Sequence, residues 1–174
     1  MGPIGIGWIG EAAPEPSLFG HVVRHVRKAF GAEVVEVKAS GRPGHAFDPR
    51  RRQHASGEIL RWLLPLAPQG GKVLGITDRD LFIPILTYVF GEAQLGGAAA
   101  VVSTARLRDE LEPTASRVLR ERLAKEAVHE LGHCFGLRHC RTSGCVMGRS
   151  SSVRDVDEKG QGLCPDCRAR LYGR

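Results

Sequence analysis

Between residues 129 and 139 the chain reads His-Glu-Leu-Gly-His-Cys-Phe-Gly-Leu-Arg-His, and no other stretch constrains the fold as much. On an α-helix, residues four apart share a face, so His129 and His133 point the same way from adjacent turns. Glu130 stands about 100° further round, at 3.6 residues per turn. It therefore flanks the two imidazoles instead of standing in line with them. Gly136 is suited to end the helix in a left-handed turn, and the returning chain presents His139 to the same point. The fold must supply a helix that stops near Gly136, a reversal, and room for three imidazoles.

Three imidazoles suit zinc, and three protein ligands leave a fourth tetrahedral position open, the mark of a catalytic site over a structural one. Glu130 is within reach of a water in that position and can serve as its general base. Two histidines and a glutamate alone recur by chance. Adding Gly136 and His139 fixes five positions, each matched ~5% of the time at average composition, so an accidental match is on the order of one in millions per start.

The remaining chain bounds this reading. A length of 174 residues and 42% hydrophobic content fit one domain with its own core. No apolar run is long enough for a bilayer, so no membrane partner is expected. The apolar N-terminus lacks a basic leader and reads as a first strand, which implies a cytoplasmic protein. The formal charge of +6 raises the question of nucleic acid. Basic residues are scattered apart from Arg50-Arg51-Arg52 and a tail with Arg168, Arg170 and Arg174, so an ordinary basic surface is the preferred reading.

All five cysteines fall after residue 133. In a reducing compartment such a cluster binds metal more often than it forms disulfides. Cys140 and Cys145, then Cys164 and Cys167, are two close pairs across a loop, the spacing of a four-thiolate structural zinc. A coda this poor in apolar residues needs such a staple to stay ordered. Cys134 is left over, inside the helical pattern, and reads as a small buried hydrophobe. Met147 can floor the three histidines or simply pack.

Periodicity predicts a strand at Ile4–Trp8 and a helix over Ser17–Phe30, capped by Ser17 and closed by Gly31. It further predicts a strand over Glu33–Ala39, a turn-rich segment over Ser40–Pro49 and a short helix over Ser56–Leu64. Strands are expected at Val73–Thr77, Leu86–Phe90 and Ala98–Thr104, then the long helix from Thr114 to Phe135. Leu119, Leu123, Ala127 and Leu131 line one face of that helix. This order implies an α+β (mixed α/β) fold.

The sequence resembles the archaemetzincins, a family of the metzincin zinc metallopeptidases. The resemblance rests on the histidine motif, on Cys140, Cys145 and Met147, and on Cys164 with Cys167. It extends to Phe47-Asp48-Pro49-Arg50 with Gln53, Gly75-Ile-Thr-Asp78, Val89-Phe-Gly-Glu-Ala-Gln94 and Val101-Val-Ser103. It implies one catalytic domain over 1–174, with an upper subdomain over 1–136 that holds a twisted mixed sheet and the active-site helix. A lower, cysteine-rich subdomain over 137–174 would follow. It also implies Met147 as the Met-turn residue, four tail cysteines on a second zinc, and an edge strand over the cleft, with Phe90–Leu95 as the candidate. Tyr172, past the last cysteine pair, is given no ligand role.

The expected function is peptide-bond hydrolysis by a zinc-bound water activated by Glu130, with two Zn2+ ions and peptides or unfolded protein as substrate. Substrate-contacting residues, oligomeric state, and cutting from an end or internally stay open. The alternative is a catalytically weak or silent zinc-containing binding or regulatory module. A lesser possibility is hydrolysis of a non-peptide amide.

Overall fold

Strand β1 (Ile4–Ile9) is buried along nearly its whole length, which is why apolar residues and glycines run through it without polar alternation: a parallel strand covered on both faces has no wet side. The computed structural model describes residues 1–11, 14–39, 43–108 and 116–173. In the main sheet β2 (Val34–Glu36), β1, β5 (Lys72–Thr77) and β8 (Ala99–Ser103) run parallel in that order. The short edge strand β7 (Gly91–Ala93) lies antiparallel to β8.

Side chains leave this sheet alternately for two cores. Ile4, Ile6, Leu74, Ile76, Ala100 and Val102 join helices α1 (Pro16–Phe30) and α3 (Arg117–Cys134) on one face. Ile9, Val73, Ala99 and Val101 pack with α2 (Ser56–Leu63) on the other. A Cβ on Gly75 would lie 2.7 Å from a Leu63 methyl, so the glycine lets α2 settle directly on β5. The result is a mixed α/β fold, as expected. Three short strands, β3 (Phe47–Asp48), β4 (Gln53–Ala55) and β6 (Leu81–Phe82), form a second sheet in that order. After α3 come α4 (Val153–Glu158) and α5 (Pro165–Tyr172). Among the described residues no helix is long and apolar enough to cross a membrane.

The structure corrects two local expectations, and a third falls outside the described residues. Glu15, not Ser17, caps α1: its carboxylate accepts from Leu18 N–H at 3.1 Å, because Pro16 fills the first helical position, where its missing N–H costs nothing. The predicted strand over Leu86–Phe90 does not form. Only Val89 makes a bridge, to Leu81, while Ile85 just before it is 85% exposed; Gly91–Ala93 take the ladder on β8 that this run would need. The predicted helix start, Thr114, lies outside the described residues; α3 begins at Arg117 with the Ser116 side chain accepting from Leu119 N–H. Leu119, Leu123, Ala127 and Leu131 are buried along it as the spacing requires.

Candidate metal centre and cleft

Helix α3 carries His129, Glu130 and His133 into a cleft of about 460 Å³, bounded by the 86–93 segment on one side and Arg149–Ser151 on the other. The helix ends as its sequence demands. Gly136 adopts φ 85°, its N–H bonds to His133 O, and Leu137 N–H bonds to Gly132 O, each at 2.9 Å. This paired closure around a left-handed glycine satisfies the last carbonyls and throws the chain back. His139 returns with it, and one ligand atom from each of His129, His133 and His139 then lies within 4.8 Å of the others.

The imidazoles are oriented by backbone carbonyls. His129 Nδ1 lies 2.9 Å from Val146 O, and His133 Nδ1 lies 2.8 Å from Leu137 O. Each Nδ1 must carry the proton to make those bonds, an assignment that follows from the acceptors. Lys159 Nζ also approaches His129 Nδ1, but at 3.4 Å it is the more distant neighbour. The two Nε2 atoms then face each other at 3.1 Å with lone pairs, an arrangement that a cation between them makes favourable. The set therefore fits a zinc ion, whose imidazole ligands pair with carbonyls through the second nitrogen. Burial is the leading cause that lowers the pKa of all three histidines, with Lys159 second at His129. Lowered values keep the imidazoles neutral, the form that binds metal.

Glu130 is 6% exposed. Burial, then the neighbouring Glu126, raise its pKa well above the usual carboxylate range, while Lys159 opposes them. Gly91 makes space for it: a Cβ there would lie 2.7 Å from Glu130 Cγ. One turn earlier on α3, Glu126 forms an ion pair with Lys159 at 2.6 Å, both side chains at most 5% exposed. Burial raises the Glu126 pKa and the Lys159 charge counteracts it. Sequence reading missed this pair. Glu126 shares its side of α3 with Arg122, His129 and Glu130, so spacing does not mark it as buried, and Lys159 arrives from a distant loop.

Met147 is fully buried and its Sδ packs against Gly132, beneath the helix segment that bears both histidines. Its carbonyl accepts from Cys140 N–H at 2.9 Å. The four tail cysteines converge, with their sulfurs within 4.8 Å of one another. Cys140–Cys164 and Cys145–Cys167 are each separated by 3.8 Å. That is the edge of a tetrahedron whose centre lies ~2.3 Å from each sulfur, the zinc–thiolate distance, and far from a disulfide bond. Backbone N–H groups of Thr142, Cys164 and Cys167 donate to three of these sulfurs. The Cys167 N–H is the first cause that lowers the Cys164 thiol to about 7; burial pushes Cys167 and Cys145 up. Cys134 stays apart, its thiol donating to Ala99 O at 3.3 Å and pushed by burial up to about 12. Tyr172 bonds to Ala29 O, away from the cleft.

The arginine run is structural at its centre. Arg51 donates to Leu86 O at 2.7 Å and stacks 4.2 Å from the Phe82 ring. Gln53 donates to Thr87 O and to Asp80. Together they pin the cleft rim from the small sheet.

The sequence model of peptidase family M54 matches residues 69–172. The archaemetzincin of Archaeoglobus fulgidus is 43% identical over 144 residues, covering 83% of this chain and 84% of the relative. The crystal structure of the archaemetzincin from Methanopyrus kandleri superposes with a TM-score of 0.87 at 36% identity, covering 98% of this chain and 93% of that one. That of a zinc-dependent peptidase from Methanocorpusculum labreanum does so with a TM-score of 0.83 at 27% identity, over 97% and 100% of the two chains.

Proposed function

This chain belongs to peptidase family M54 and is a zinc metallopeptidase, and we propose that it hydrolyses peptide bonds on the cleft side of α3 with Glu130 as general base. The observation that carries this reading is the convergence of two Nε2 lone pairs 3.1 Å apart beside a buried carboxylate in an open cleft. His129, His133 and His139 would hold the catalytic zinc, which when bound supplies Lewis-acid polarisation of a water and of the scissile carbonyl. Glu130 takes the proton from the attacking water and returns it to the departing amine. Val146 O and Leu137 O hold the imidazoles in register while this happens.

Strand β7 ends the main sheet, so an extended peptide can add along its outer side and lie across the histidines. Cys140, Cys145, Cys164 and Cys167 would hold a second, structural zinc, and Met147 would serve as the Met-turn of a metzincin. In this reading residues 1–136 form the upper and 137–174 the lower part of one catalytic domain. Five free thiols suit the reducing cytoplasm.

The test is cleavage of a diverse peptide mixture by wild type and Glu130→Ala, read by mass spectrometry with zinc content measured on both. The expected result is cuts by wild type alone at equal zinc. Equal turnover by the two proteins removes Glu130 from the mechanism, and no cuts by fully loaded wild type point to a binding module.

A further inference from the structure

Helices α1 and α3 pack side by side, and away from the cleft they bring together a third group of metal-ligating side chains. His21 and His25 stand one turn apart on α1, the same spacing as His129 and His133, and Glu121 projects from α3. One ligand atom from each lies within 4.8 Å of the other two, and all three residues are partly buried.

The hydrogen bonding of this group does not close on itself. His21 Nε2 is shut off from water without a hydrogen-bond partner, and the nearest Glu121 oxygen is 3.8 Å away. His25 faces an oxygen with each nitrogen: Nδ1 lies 3.0 Å from His21 O, and Nε2 lies 3.3 Å from Gln161 Oε1. A neutral imidazole has one N–H, so one of these approaches sets a lone pair against a lone pair. Reversing the Gln161 amide does not help, because its NH2 group donates to Glu121 and the exchange would turn its oxygen on that carboxylate. A cation among His21 Nε2, His25 Nε2 and the Glu121 carboxylate satisfies every one of these atoms.

We propose that His21, His25 and Glu121 form a divalent transition-metal site, separate from both the cleft and the cysteine cluster. Two imidazoles and one carboxylate favour Zn2+, Ni2+ or Cu2+ over Mg2+ or Ca2+, with water completing the shell on the exposed side. An ion here joins α1 to the helix that carries the catalytic residues. Through Gln161 it also reaches the loop just ahead of Cys164. Its occupancy therefore stabilises the packing of the N-terminal helix on α3 by mass action.

The experiment compares zinc-loaded wild type with His25→Gln and Glu121→Gln after equilibration at one free Zn2+ concentration above neutral pH. Metal content is read by mass spectrometry and folding by circular dichroism. Wild type is expected to hold one more Zn2+ per chain than either variant. Added Ni2+ is expected to raise the melting temperature of wild type and leave that of the variants in place. Glu121→Gln keeps the size of the side chain, so it separates loss of a ligand from loss of packing. Equal metal content in all three proteins, or an equal Ni2+ shift, overturns the site. The comparison does not depend on peptide cleavage, and its outcome is independent of the reading of the cleft.

Discussion

The Sδ of Met147 occupies the space that a Cβ on Gly132 would need, with the Met147 methyl 3.0 Å from the same point. Gly132 sits in the last turn of α3, still at a helical position, where alanine is ordinarily favoured by up to ~1 kcal/mol. Here the overpacking penalty, about 1–3 kcal/mol, is set against that gain, and the fully buried sulfur has nowhere to go. Gly132→Ala is expected to lower stability, and to weaken zinc retention because His129 and His133 flank the displaced segment. Urea unfolding and metal content check this; a stabilised Gly132→Ala protein would show that Met147 yields.

Lys159 and Glu126 are buried together. Lys159→Met leaves a buried carboxylate without its counter-charge, at a cost of about 3–5 kcal/mol. Replacing both residues by Met removes the unpaired charge, so the double variant should recover most of that loss. Denaturant midpoints of the single and double variants decide it. A double variant no better than the single one would mean that the pair does not act as a unit.

Cys164→Ser removes one of four convergent sulfurs and the thiol that accepts from Cys167 N–H. The tail metal should be lost and the melting temperature should fall. Because Cys140 N–H bonds to Met147 O and Cys145 precedes Val146, whose carbonyl orients His129, affinity at the histidine site should fall too. Metal titration of the two sites tests this. Unchanged metal content and melting would remove the four-cysteine site.

Asp157 joins α4 to α3 by accepting two bonds from Arg122 at 2.7 Å, and the Arg122 hydrogen bond lowers its pKa below 3.8. A depressed folded-state pKa contributes stability that is present above the unfolded value and is lost as pH falls through the folded value. Asp157 is 46% exposed, so solvent screening keeps the contribution to about 1 kcal/mol or less. Asp157→Asn should therefore be less stable than wild type above about pH 4, with the difference closing at lower pH. A difference that grows toward acid contradicts the assignment.

Much of the site was legible because its residues are local in sequence. His129, Glu130, His133 and Gly136 are set by helix period and by one left-handed turn, and both can be read from spacing. The cysteine pairs were legible for the same reason. What escaped were partners fixed by long-range folding. Lys159 reaches Glu126 from a loop, and Arg51 with Gln53 holds the rim from a sheet of two- and three-residue strands too short to show a period. The Leu86–Phe90 run failed because apolar composition does not reveal whether a neighbouring strand has an edge to offer. The Glu15 cap was hidden by Pro16, which moves the helix start ahead of the residue with the better capping propensity.

The hydrogen bond from Cys140 to Met147 also bears on synthesis. The main sheet is complete once Ser103 has emerged, yet Val146, which aims His129, is braced by a cysteine pair that waits for Cys164 and Cys167. A nascent chain thus holds every strand of the main sheet before it owns the cysteines that brace the carbonyl aiming His129.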